Sequence, residues 1–136
     1  MKIVYIAHPI GGDVDENIAK VLRIVREINL HSNTVVPFAP YIVDCLALDD
    51  DIPEQRERGI MNNAVLFDKG FIDELWLFGD RISTGMRIEI DAAMHLGIKV
   101  VPRTAETREA LESHDMIYEA DQKIVDKILQ ANGIED

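Results

Sequence analysis

The sequence predicts an α/β fold, a three-layer sandwich of the Rossmann-like or flavodoxin-like kind with a parallel sheet of four to five strands. Two observations predict it. Short apolar runs rich in β-branched residues alternate four times with longer segments of helical period. The first run, "KIVYIA" at 2–7, has no polar face, as befits a strand covered on both sides. Repeated βα units imply right-handed crossovers and helices on both faces of the sheet. In such sheets ligands bind at the carboxyl ends of the strands, where the strand order reverses.

The elements follow in order. After the strand at 2–7 comes a loop, "HPIGGDVDE", and then a helix over Asn17 to Leu30, whose Ile18, Val21, Leu22, Val25 and Ile28 fall on one face. "TVVPFAP" at 34–40 reads as a second strand, its prolines placing it at an edge or at a strand end. Residues 41–52, "YIVDCLALDDDI", are apolar enough to pack and then run into three aspartates that belong in solvent. Pro53 suits the first turn of a helix that runs to a stop at Gly70. "DELWLFGD" at 73–80 predicts a third strand, 84–97 a helix ending on Gly97, and "IKVVP" at 98–102 a fourth strand. Thr104 caps a further helix, "AETREALES", and a last segment carries Ile124, Val125, Ile128 and Leu129 in a narrow stripe. The domain organisation expected is an α/β domain over 1–102 with residues 103–136 as its C-terminal helical extension.

Composition narrows the function. Of 136 residues 47% are hydrophobic, enough for one core, so a single domain is expected. The 25 acidic residues outnumber the 14 basic ones, which argues against a nucleic-acid polymer or an anionic membrane as partner. A small anion at a helix N-terminus stays compatible with that charge. No stretch reaches membrane length and the N-terminal run is too short for a signal peptide, so a cytoplasmic location is expected. The one cysteine, Cys45, allows neither an intrachain disulfide nor a cysteine zinc cluster. The apolar surplus at 41–48 and the stripe at 124–129 predict a homodimer or higher homo-oligomer.

One position resists explanation by packing. In "STGMRIEIDAA" at 83–93 the helix that follows the third strand is apolar through Met86, Ile88, Ile90 and Ala93, and Glu89 sits among them. A carboxyl against apolar walls has its pKa raised or needs donors, and such groups serve as nucleophiles or acid–base catalysts. The competing reading puts Glu89 on an exposed stripe with Arg87 or Asp91. Ser83 and Gly85 flank the helix start at the expected ligand edge, where an ordinary N-cap and turn would equally stand. Asp80 closes the third strand at the same edge, either as a second carboxylate or as a turn cap, whereas Asp73 opens it at the far end.

Together "VYIAHPIGG", "DELWLFGD" and "STGMRIEIDAAMHLGIKVV" resemble the nucleoside 2-deoxyribosyltransferase superfamily, including its deoxynucleoside monophosphate N-glycosidases, over about residues 2–102. The resemblance implies that the Gly-x-x-x-Glu element is Gly85 to Glu89, with Glu89 the nucleophile on the anomeric carbon of the sugar. It implies that Ser83 contacts a phosphate and that Tyr5, His8, Gly11 and Gly12 form the first substrate loop, where His8 and Pro9 replace the family's Gly-Ser. Asp80 is the preferred second carboxylate. The family Asp about two dozen residues upstream has no counterpart: the count arrives near Val65, with Asp68 the nearest acid, and in the tail only Asn132 offers itself to complete a neighbour's site.

The function expected is therefore cleavage or exchange of the N-glycosidic bond of a small (deoxy)nucleoside or nucleotide, with no cofactor and no metal. The alternative is a non-catalytic module that binds or sequesters a nucleotide. A receiver-like signalling domain fits less well, since the first strand ends in Ala7 and His8 and not in paired acids.

Overall fold

A computed structural model describes residues 1–113. Its chain order is β1 (Lys2–Ala7), α1 (Val14–His31), β2 (Val35–Phe38), α2 (Tyr41–Ala47), α3 (Pro53–Asp68), β3 (Glu74–Leu77), α4 (Thr84–His95), β4 (Lys99–Pro102) and α5 (Ala105–Glu112). The four strands form one parallel sheet in the order β2-β1-β3-β4. This is the α/β architecture expected, with four strands among the described residues. The stripe at Ile124, Val125, Ile128 and Leu129 and the residue Asn132 lie outside the described residues.

The strand order reverses at β1, so the carboxyl ends of β1 and β3 flank the switch point. Register brings Ala7 beside Leu77, and the loops after both strands therefore leave the sheet at one level. β1 is central, and Val4, Tyr5, Ile6 and Ala7 are fully buried, which explains why its sequence shows no polar face. β2 lies at the edge, where the missing N–H of Pro37 is tolerated.

Three boundaries differ from the sequence expectation, each for a local reason. α1 starts at Val14 because Asp13 caps it, its carboxylate accepting from the Glu16 N–H at 3.3 Å. Residues 41–47, ambiguous by pattern, form α2, whose Tyr41 turns into the core. β3 is shorter than 73–80: Asp73 precedes it and holds the Ile3 N–H, and the turn at Gly79 ends it before Asp80. α3 begins on Pro53 as its missing donor allows. Thr104 and Thr107 form a reciprocal capping box at the start of α5.

The core lies between the sheet and its helices. Tyr5 sits at its centre, with the Phe67 ring 4.7 Å and the Tyr41 ring 5.7 Å away, centroid to centroid. Among the described residues, no helix is long and apolar enough to cross a membrane.

Candidate functional site

A cavity of about 480 Å³ opens at the carboxyl ends of β1 and β3, and helical periodicity builds its walls. On α2 and its C-cap the lining residues are Tyr41, Asp44, Cys45 and Leu48, spaced as one helix face requires. On α3 they are Gln55, Arg56, Gly59, Ile60, Asn63, Ala64 and Phe67, again one face. The first turns of α4 contribute Ser83 through Glu89, and the loop after β1 contributes His8, Ile10 and Gly11.

Glu89 faces this cavity and keeps part of its surface open to it. Desolvation by the surrounding wall pushes its acid up to about 8, while the approach of the Tyr5 hydroxyl pulls weakly the other way. That hydroxyl is completely buried and makes no hydrogen bond of proper distance and angle. The two groups therefore feel each other without forming a closed bond. Burial, followed by the charge of Glu89, also raises the Tyr5 and Tyr41 phenols, and burial raises the Cys45 thiol to about 11. Tyr41 and Cys45 thus line the cavity as neutral, proton-bearing groups beside the Glu89 carboxyl, whereas Tyr5, expected as a substrate contact, is fully buried and is not among the lining residues. Tyr41 is otherwise engaged, its hydroxyl donating to the Ile6 carbonyl.

His8 is buried at the end of β1 and lines the cavity. Its Nδ1 lies 2.6 Å from the Pro9 carbonyl oxygen, which can only accept, so Nδ1 carries the proton and Nε2 is left as an acceptor in the neutral ring. Burial lowers its pKa and so favours that neutral form. Ser83 serves as the N-cap of α4, its Oγ accepting from the Met86 N–H at 3.3 Å. Gly85 leaves the helix start open, since a side chain there would meet nothing nearer than Ser83 Oγ at 4.0 Å.

Some expected residues are not brought to the cavity. Asp80 is exposed, lies 3.3 Å from the Arg81 guanidinium, and is absent from the lining. The turn at Gly79, with φ of 93°, directs the chain outward before Asp80 is reached. Gly12, at φ 97°, is a surface turn residue beside the lining residue Gly11. Asp68 and Val65 are exposed on α3 and do not line the cavity either.

Two polar residues that sequence reasoning did not single out also line the cavity. Asp44 lines the cavity from α2, and Asn63 does so from α3 with its Oδ1 sealed from solvent and unpartnered. Both follow from helix spacing once Tyr41 and Phe67 are known to face inward. Arg81 donates to the Gly11 carbonyl at 3.0 Å, and Asn17 donates to the Ile10 carbonyl at 2.8 Å, so the loop after β1 is held from two sides. Gly79 is required by space as well as by φ: a Cβ there would stand 2.6 Å from Pro9 Cδ. The two ligand-edge loops thus touch across that glycine.

Among the described residues, no group of three or more His, Cys, Asp or Glu side chains is arranged to hold a metal ion. Comparison with curated proteins and with solved structures finds no match. A family model does match, over residues 2–103, and takes in β1 through β4 with every residue of the cavity named above. The chain belongs to the family described as "Domain of unknown function (DUF7768)".

Proposed function

We propose that the protein cleaves or exchanges the N-glycosidic bond of a small deoxynucleoside or its monophosphate, with Glu89 as nucleophile. The observation that carries this reading is Glu89 itself, a carboxyl facing a cavity of about 480 Å³ at the switch point of the sheet, held against apolar walls. A cavity of that size suits a small ligand.

The chemistry balances on this chain's own groups and water. The Glu89 carboxylate attacks the anomeric carbon, a C–O bond forms as the C–N bond breaks, and the base departs with the electron pair and takes a proton from solvent. Water, or the nitrogen of a second base, then attacks the same carbon, and the carboxylate is restored. The neutral phenols of Tyr5 and Tyr41 near Glu89 suit the growing positive charge on the sugar, since neither adds a competing cation. The first turn of α4, with Ser83 and Gly85, offers N–H groups to an anionic substituent such as a phosphate. His8 Nε2 offers an acceptor to a sugar hydroxyl.

The test is incubation of the full chain with deoxynucleosides and deoxynucleoside monophosphates carrying each common base, with free base followed chromatographically. Release or exchange of base supports the reading, and no release from any member of the panel removes it. One observation favours the alternative of binding without turnover: Asp80, the expected second carboxylate, is exposed and outside the cavity. Calorimetry separates the two, since tight uptake of a nucleotide recovered unaltered supports the binding module.

A further inference from the structure

We propose that a groove between α1 and β3 is the docking site of this chain's own C-terminal segment, residues 114–136, which seats the apolar stripe of Ile124, Val125, Ile128 and Leu129 on Trp76 and Phe78. This docking is independent of the reaction proposed above.

β3 lies inside the sheet, between β1 and β4, and a parallel strand so placed is ordinarily covered on both faces. Its burial alternates instead: Leu75 and Leu77 are fully buried, whereas Trp76 and Phe78 are only half-buried. The open side is the face that carries α1, because Trp76 and Phe78 line a groove of about 420 Å³ together with Ile24 and Ile28 of that helix. Topology explains the gap. α1 runs from β1 out to β2 and α4 from β3 out to β4, in opposite directions across the sheet, so right-handed connections place the two helices on opposite faces. No residue of α5 is among the described residues that line the groove.

Charge and reach point to the occupant. Exposed Lys20, Arg23 and Arg103 stand at the rim, the Arg103 guanidinium 4.2 Å from the Trp76 ring centroid. The one acid beside them, Glu27, lies 3.0 Å from His31, and Arg23 lies 3.2 Å from Glu16. On a chain of formal net charge −11, a basic rim over an apolar floor favours an acidic, amphipathic partner. Residues 114–136 lie outside the described residues, and their sequence has that character, with six acidic residues against two basic ones and the stripe at the spacing of one helix face. α5 begins two residues after Arg103, so the segment departs within roughly 20 Å of the rim. A helix over 114–136 would span about 34 Å, and the lining residues of α1, Lys20 to Ile28, span about 12 Å. His8 lines both the groove and the cavity, so a filled groove leaves its ring open to the cavity alone.

Trp76 is the single tryptophan of the chain, so its fluorescence reads the groove without a label. The experiment compares the emission maximum and acrylamide quenching of the full chain as wild type, as Ile124→Glu with Ile128→Glu, and as the milder Ile124→Ala with Ile128→Ala, each shown to be folded by far-UV circular dichroism. The expected result is emission at longer wavelength and stronger quenching in the variants than in wild type. Should the glutamate variant not fold, the alanine variant decides. Emission and quenching equal to wild type in the folded variants overturn the docking. Wild type is also followed on dilution: quenching that stays constant supports a segment of the same chain, and quenching that rises as copies separate assigns the groove to a second copy and overturns the proposal.

Discussion

A carboxyl whose ionisation the fold opposes leaves a signature in pH, and Glu89 is such a group. Its acid stands at about 8 in the folded chain against an ordinary value of 4.5, so the folded state holds one more proton than the unfolded state between those values. Stability is therefore greatest below about 4.5 and declines as pH rises to about 8, by a few kcal/mol for this group. Denaturation of wild type and Glu89→Gln at pH 5 and pH 9 reads it: the variant is expected to lose less stability than wild type over that span. Parallel losses would contradict the burial assigned to this carboxyl. The same ionisation governs the proposed reaction, because only the carboxylate attacks. The pH–rate profile of kcat/KM is expected to rise through about 8 and level above it, and a flat or falling profile would contradict the role.

Among the elements, the loops after β1 and β3 carry the most constraint per residue. Gly79 combines a positive φ of 93° with a neighbour, Pro9, that leaves no room for a Cβ. Gly79→Ala is expected to cost roughly 1–3 kcal/mol or more, read as a lower denaturation midpoint, and an unchanged midpoint would show that the loops can part. These elements also show what was legible in the sequence. β1 could be read because a strand buried on both faces leaves a continuous apolar run, and α4 because Ser83 and Gly97 bracket an apolar period. The position of Glu89 within α4 followed from the same period. Asp80 was misplaced because a one-dimensional strand pattern continued past Leu77, and the turn that ends β3 depends on Gly79 meeting Pro9, a contact between residues far apart in sequence. Asp44 and Asn63 escaped notice because their helices face the cavity only through the packing of α2 on α3. Neither helix announces that face in its own pattern.

At the scale of the whole molecule, the outer face of α2 is the least explained surface. Val43 and Leu46 are 69% and 70% exposed, three residues apart on one face, while Tyr41, Asp44 and Cys45 turn inward from the same helix. Covering that face is the simplest use for it, and the homodimer or larger assembly expected from residues 41–48 is proposed to form there. Light scattering at micromolar concentration is expected to give at least twice the chain mass, and Val43→Glu with Leu46→Glu to return it to the monomer. A monomeric wild type would contradict this. The formal net charge of −11 makes the charge distribution of the site more telling, since a negatively charged molecule places Arg56, Arg81 and Arg87 around the cavity with Glu89. The claim on which the functional account turns is that Glu89 forms the bond to sugar. Base release by wild type and by Glu89→Gln, compared under conditions where both chains are shown to be folded, tests it most directly: the account predicts a loss of roughly a thousandfold or more in the variant, and equal rates would contradict it.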